Sequence, residues 1–266
     1  MQGFPTLMSK LQLGRYKGFF PFLMAGYPDL ATTVELAGAL AEAGADLLEI
    51  GLPFSDPVAD GPLLQMAAQH SLQQGTRVAQ VLQAVEKITS RTGLPVLLMS
   101  YYNPVLQYGP AHFARDAAAA GACGVIVPDL PPEEAWPLKE QVKARGLEFI
   151  HFLAPTTPPE RLEFIVKQST GFLYCLSVNG VTGIRQEIDT IMPKIITSVR
   201  RISPIPLAIG FGISTPAQAA TLARSFEAVI VGSALVRIIA ACQQQAKPAV
   251  QEVYRLASQM RQALQV

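Results

Sequence analysis

The 266-residue chain is short of cysteine, histidine and net charge, and each shortage closes off a class of function. Its three cysteines, Cys123, Cys175 and Cys242, lie too far apart for a disulfide framework and lack metal-ligand spacing. They read as small core residues in a reducing cytosol. No cluster of His, Asp and Glu suggests a catalytic metal. The formal net charge is +1 and the basic residues are scattered, so no stripe of Lys and Arg awaits a nucleic-acid backbone. Long apolar runs are missing too. The run over 228–236 is bounded by Glu227 and Arg237 and falls short of the roughly 18 residues that span a bilayer. It reads as a buried strand entering a helix. Residues 1–17 have no apolar secretory segment and little of the Arg and Ser of a transit peptide, so a cytoplasmic protein is expected. No Pro/Gly/Ser-rich linker divides the chain, and one domain is expected over 1–266.

What is present is a repeating alternation. Half of the residues are apolar, enough for one large core. Short apolar or β-branched runs fall near 19–25, 46–51, 95–100, 124–128, 148–153, 172–177, 206–210 and 228–231. Most are apolar throughout, as parallel strands covered on both faces require. Amphipathic segments separate them and carry helix signals. Thr32 with Glu35, and Thr157 with Glu160 and Pro158, read as helix starts, as does Thr215 before Pro216. Gly44, Gly121 and Gly146 stand where helices should stop. Eight strand–helix units predict a closed (β/α)8 barrel, with an extra N-terminal helix and extended loops after strands 2 and 6. An open doubly wound sheet is the alternative, but its G-x-G-x-x-G loop after the first strand is missing. Added length after a strand extends the C-terminal face of a barrel, where active sites lie.

Glu49 interrupts the apolar second run. A buried carboxylate is costly unless it is paired or does chemistry, so two readings stay open: a hydrogen-bonded structural Glu, or an acid/base group at the barrel mouth. Asp60 follows in a loop stiffened by Pro53, Pro57, Gly61 and Pro62, where taken alone it reads as an ordinary turn aspartate, and Asp56 reads as a turn-former. Glycine-rich stretches at 179–183, 210–214 and 232–234 form a second constellation. Backbone N–H groups freed by glycine, with a helix N-terminus behind them, suit a phosphate, and barrels often hold one after strands 7 and 8. The residues therefore point to a phosphate-bearing small molecule and carboxylate chemistry. The strands carry no lysine, which argues against a Schiff-base aldolase. His70 and His112 read as solvent-facing, His151 as a satisfied core or mouth residue, and Trp136 as a helix face packed on the barrel.

The string from Glu49 to Pro62, EIGLPFSDPVADGP, resembles the signature of the tryptophan synthase alpha subunits. Matches continue in order at 21–29 (PFLMAGYPD), 101–104 (YYNP), 127–131 (VPDLP), 154–158 (APTTP), 180–183 (GVTG) and 210–214 (GFGIS). The YYNP and PTTP stretches resemble the cyanobacterial and plant branch. Asn179 and Tyr27 depart from residues common in the family, which bears on lid tuning rather than activity. The resemblance implies a TIM barrel that cleaves indole-3-glycerol phosphate to indole and glyceraldehyde 3-phosphate in tryptophan biosynthesis. It implies Glu49 as general acid/base, Asp60 as acceptor of the indole N–H, and Tyr174 beside the indole. By the same resemblance Phe22, Phe152 and Phe211 line the ring pocket. Gly183, Gly212, Gly232 and Ser233 form the phosphate cradle, and Thr182 meets Asp60 when the lid closes. It further implies no cofactor in this subunit and a pyridoxal-phosphate beta subunit as partner in an α2β2 complex. That partner would dock on 53–60, 103–106 and 129–132. A stand-alone lyase without the partner is the alternative, since the same chemistry needs only the barrel.

Overall fold

Continuous apolar strands need cover on both faces, and a closed parallel barrel ringed by helices supplies it. The computed structural model describes residues 3–176, 193–210, 212–243 and 245–265. Its strands are β1 (Gly18–Met24), β2 (Leu48–Gly51), β3 (Val96–Met99), β4 (Ala122–Ile126), β5 (Glu148–Leu153), β6 (Leu173–Leu176), β7 (Leu207–Gly210) and β8 (Ala228–Val231). They pair in parallel in sequence order, and β1 closes on β8 through Gly18↔Ala228 to Pro21↔Val231. β5 and β8 have the expected bounds, whereas β4 begins two residues ahead of its expected start and ends at Ile126, leaving Pro128 on the loop beyond it.

The extra N-terminal helix is present as α1 (Phe4–Gln12), which buries Phe4, Leu7, Met8 and Leu11 on one face. The Phe4 ring lies over Gly171, just ahead of β6, so α1 covers the N-terminal end of the barrel. The helices that follow are α2 (Leu30–Glu42), α3 (Pro62–Gln73), α4 (Val78–Thr92), α5 (Tyr102–Tyr108), α6 (Pro110–Ala119), α7 (Trp136–Lys143) and α8 (Pro159–Gln168). Residues 193–202 form α9, followed by α10 (Pro216–Ala223), α11 (Ser233–Ala241) and α12 (Ala246–Ala263). The extension after β2 holds a loop and the additional helix α3 before α4 reaches the barrel wall. The extension expected after β6 falls largely on 177–192, outside the described residues. Among the described residues no helix is long and apolar enough to cross a membrane.

Several local expectations are corrected. α2 is capped by Asp29, not Thr32: the Asp29 carboxylate accepts from the Thr32 N–H at 2.8 Å and from its hydroxyl at 2.7 Å. A carboxylate three residues upstream makes the stronger cap. α8 starts one residue later than expected, at Pro159, because the Thr157 hydroxyl accepts from the Ala154 N–H and closes the preceding turn instead. Thr215 does cap α10, in a reciprocal box with Gln218. Gly44, Gly121 and Gly146 follow the last turns of α2, α6 and α7 as expected. Trp136 is not packed on the barrel: it opens α7 and is 63% exposed. His70 is half-buried, with Nε2 2.9 Å from the Pro28 carbonyl and its ring edge-on to Tyr27, because α3 leans on the turn after β1. His112 is exposed as expected.

Candidate active site

A cavity of about 560 Å3 opens at the C-terminal end of the barrel, where strand ends and loops converge. Glu49 enters it from β2. In-register pairing sets Glu49 beside Phe22 of β1, and the pleat turns both side chains inward. Phe152 and Tyr174, paired in register on β5 and β6, form the opposite wall with ring centroids 4.7 Å apart. The Tyr174 hydroxyl lies over Gly210, where a Cβ would come within 2.4 Å of it, so only glycine leaves the tyrosine its place. Met99, Pro128, Leu64, Leu176 and Ile230 complete an apolar lining that the sequence did not single out. At the far side are Gly212, whose φ of +75° lies in the left-handed region, and Gly232 with Ser233, which open α11. The nine-residue α11 thus points its N-terminal end, with its free N–H groups and positive dipole, at the cavity.

Asp60 comes from the loop between β2 and α3, which is braced where it enters α3. Its N–H donates to the Pro57 carbonyl at 2.9 Å, and its carbonyl accepts from Gln65 Nε2 of α3 at 2.9 Å. α3 is in turn tied to the β1 turn by the Ser71 hydroxyl, which donates to the Ala25 carbonyl at 2.7 Å. Asp56, nearer the loop's start, is exposed and accepts from Ser55, in keeping with a turn role. Glu49 is 3% exposed, and burial, reinforced by the Asp60 charge, pushes its carboxyl up to about 8. Asp60 is pushed up by burial to about 6, against the opposing influence of a Tyr101 hydrogen bond. Tyr174 is raised well above the ordinary phenol range, by burial first and then by the two carboxylates. The pair therefore separates: near neutral pH Glu49 holds a proton that Asp60 has released.

Glu49, Asp60, Phe22, Phe152, Tyr174, Gly212, Gly232 and Ser233 are thus brought together around one cavity. Thr182, Gly183 and Phe211 lie outside the described residues, as does Asn179. Among the described residues no Lys, Arg or His lines the cavity, and no group of His, Cys, Asp and Glu could hold a metal ion. His151 is neither at the mouth nor satisfied. It points from β5 away from the cavity, against Phe149, and its buried Nε2 has no partner. Burial, with a smaller contribution from Lys139, lowers it to about 4. The alternation that turns Phe152 inward turns its neighbour outward, under the helix layer.

Comparison with known proteins places this geometry. A family model described as tryptophan synthase alpha chain matches residues 8–265. The chain belongs to the tryptophan synthase alpha chain family. It is 43% identical over 230 residues to the tryptophan synthase alpha chain of Geobacter sulfurreducens, covering 86% of this chain and 87% of the relative. The cyanobacterial alpha chain of Synechocystis is 47% identical over 221 residues, covering 83% and 84%. The solved alpha chain of Legionella pneumophila superposes with a TM-score of 0.89 at 37% identity, covering 99% of this chain and 97% of that one. The fold is that family's TIM barrel. Its activity is that of a carbon–carbon lyase, the cleavage of indole-3-glycerol phosphate in tryptophan biosynthesis.

Proposed function

We propose that Glu49 is the general acid/base of the retro-aldol cleavage and that Asp60 is the acceptor of the indole N–H. Indole is a poor leaving group until its C3 is protonated. A Glu49 that keeps its proton at neutral pH can deliver it there, and the resulting carboxylate can take the proton of the glycerol C3′ hydroxyl as the C3–C3′ bond breaks. Asp60, ionised under the same conditions, stabilises the positive charge of the indolenine through the ring N–H. The observation that carries the reading is this opposed pair of carboxyls, one near 8 and one near 6, on one apolar cavity. Phe22, Phe152 and Tyr174 would hold the ring. The phosphate would rest on backbone N–H groups at Gly212, Gly232 and Ser233, with Gly183 completing the cradle. Thr182 and Phe211 keep the lid and ring-pocket roles that the resemblance implies. One barrel domain carries all of this without a cofactor of its own, and pyridoxal phosphate belongs to the beta partner.

The decisive variant is Glu49→Gln, which keeps the shape and removes proton transfer. Indole release from indole-3-glycerol phosphate should fall by at least about 100-fold, the low end for general acid/base catalysis. The fold should persist, because a neutral amide avoids the burial cost of a carboxylate. Near-normal turnover in a folded Glu49→Gln protein rules the assignment out.

A further inference from the structure

Backbone N–H groups hold an anion only while the loop that carries them keeps its shape, and a glycine in that loop does little to keep it. The loop between β7 and α10 is of this kind. Gly212, with its φ of +75°, lines the cavity, and Ile213 beside it is buried, so the chain passes from the cavity into the core within two residues. The two residues that follow are gathered by one side chain. Gln218 Oε1 accepts from the Ser214 N–H at 2.9 Å, from the Ser214 hydroxyl at 3.1 Å and from the Thr215 N–H at 3.1 Å. Gln218 stands in the first turn of α10, a helix held down by the buried Ala219 and Ala223. A helix cap needs only the exchange with Thr215, whose N–H donates to Gln218 and whose hydroxyl accepts from the Gln218 N–H at 3.3 Å. The two bonds from Ser214 lie one residue beyond the cap, on the side of Gly212. Among the described residues the N–H groups of Ser214 and Thr215 are thus engaged by Gln218, whereas those of Gly212 and Ile213 have no hydrogen-bond partner.

We propose that Gln218 is a positioning residue for the substrate phosphate: it fixes residues 214 and 215 on α10, so that the backbone at Gly212 is set for the anion before the anion arrives. The inference rests on the reading of Gly212 as part of the phosphate cradle. Donors set in advance lower the cost of ordering at binding, and a loop released from Gln218 meets that cost with each substrate molecule. The loss falls on affinity for the phosphate. It spares the proton transfers at Glu49, across the cavity, and the apolar walls that take the ring.

The test measures kcat and KM for indole-3-glycerol phosphate, the inhibition constant of glycerol 3-phosphate and the Kd of indole, in the full chain and three variants. Glycerol 3-phosphate carries the phosphate without the ring, and indole the ring without the phosphate. Gln218→Leu removes the acceptor at an exposed helix position where leucine is a good helix former, so the fold persists. Its KM and its inhibition constant for glycerol 3-phosphate should both rise roughly fivefold, the scale of one net hydrogen bond. Its kcat and its Kd for indole should stay at the parent's values. Thr215→Ala is the control for capping alone: it removes the hydroxyl that accepts from the Gln218 N–H and leaves both Ser214 bonds in place. It should lower the melting temperature and leave KM and the inhibition constant unchanged. An equal rise in both variants would mean that cap stability, not loop position, governs phosphate affinity, and the proposal fails. Gly212→Asp separates the two readings. If it binds glycerol 3-phosphate as the parent does, the cradle lies elsewhere and the role of Gln218 falls with it. If it binds the ester more weakly while Gln218→Leu does not, the positioning role alone fails.

Discussion

A side chain at position 212 would meet two separate costs. Gly212 has φ +75°, where a non-glycine residue is strained by about 1 kcal/mol, and it lines the cavity next to the opening of α11. Gly212→Ala adds the strain without a charge and should lower the melting temperature by roughly 2–4 °C for a chain of this size. Gly212→Asp adds a negative charge facing the proposed phosphate cradle. The KM for indole-3-glycerol phosphate should rise at least about tenfold over that of Gly212→Ala, the equivalent of about 1.4 kcal/mol of lost binding. Equal KM values in the two variants would put the phosphate elsewhere. At the same scale Glu49 was legible in the sequence, because a carboxylate inside an apolar strand stands out by type, whereas Asp60 in a proline-stiffened loop read by itself as a turn residue and stood out only through the family resemblance. The bond between Tyr101 and Ala59 was not legible, because it joins residues 42 positions apart.

Element by element, the strands were the most legible part of the chain, since parallel strands buried on both faces leave apolar runs that end where cover ends. Helix starts were less so. Asp29 and Thr32 both qualify as caps for α2, and the shape of the preceding turn decides between them. The face of β5 was equally undecided until its partners fixed it, and it put His151 under the helix layer near Lys139 and Glu133. That placement has a consequence for acid stability. The folded value of His151 is about 4 against an ordinary 6.5. Above 6.5 the ring is neutral in both states and its stabilising share is fully present. As pH falls from there toward 4, the unfolded chain takes up a proton that the folded one refuses, so stability is lost. His151→Leu should escape this loss. Between pH 7 and pH 4.5 denaturant unfolding should show the parent losing about 2 kcal/mol more than the variant. Parallel stability curves would mean that His151 titrates normally in the fold.

On the scale of the whole molecule, the two ends of the barrel do different work. The N-terminal end is closed by a clamp in which the Asp46 carboxylate takes hydrogen bonds from the Phe19 N–H, Tyr16 and Arg261, joining β1 to the C-terminal helix α12. The C-terminal end carries the cavity, and on the segments that follow β2 and β3 there Val58 and Leu106 are 81% and 51% exposed. Apolar side chains on the rim through which indole must leave suit a docked partner. Direct transfer through such a contact would keep a small apolar product from escaping. The chain alone should therefore elute as a monomer. Mixed with its cognate beta subunit it should co-elute as an α2β2 complex with faster indole release. If the beta subunit neither co-elutes nor raises the rate, the stand-alone lyase is the correct account.

The sequence by itself determined the barrel and its repeat, because these depend on local period, and it set Glu49 apart as a carboxylate inside an apolar run, whereas Asp60 by type alone read as a turn residue and drew its role from the family resemblance. Only the tertiary structure decided how those groups are placed. Closure of β1 on β8 gathers side chains from distant strands around one cavity, and burial there drives Glu49 and Asp60 apart in proton affinity. Exposure of Trp136, burial of His151 and the hydrogen bond from the Ala59 N–H to the Tyr101 hydroxyl likewise depend on neighbours remote along the chain. Such neighbours leave no periodic trace in the sequence, since packing joins positions whose spacing no local rule constrains.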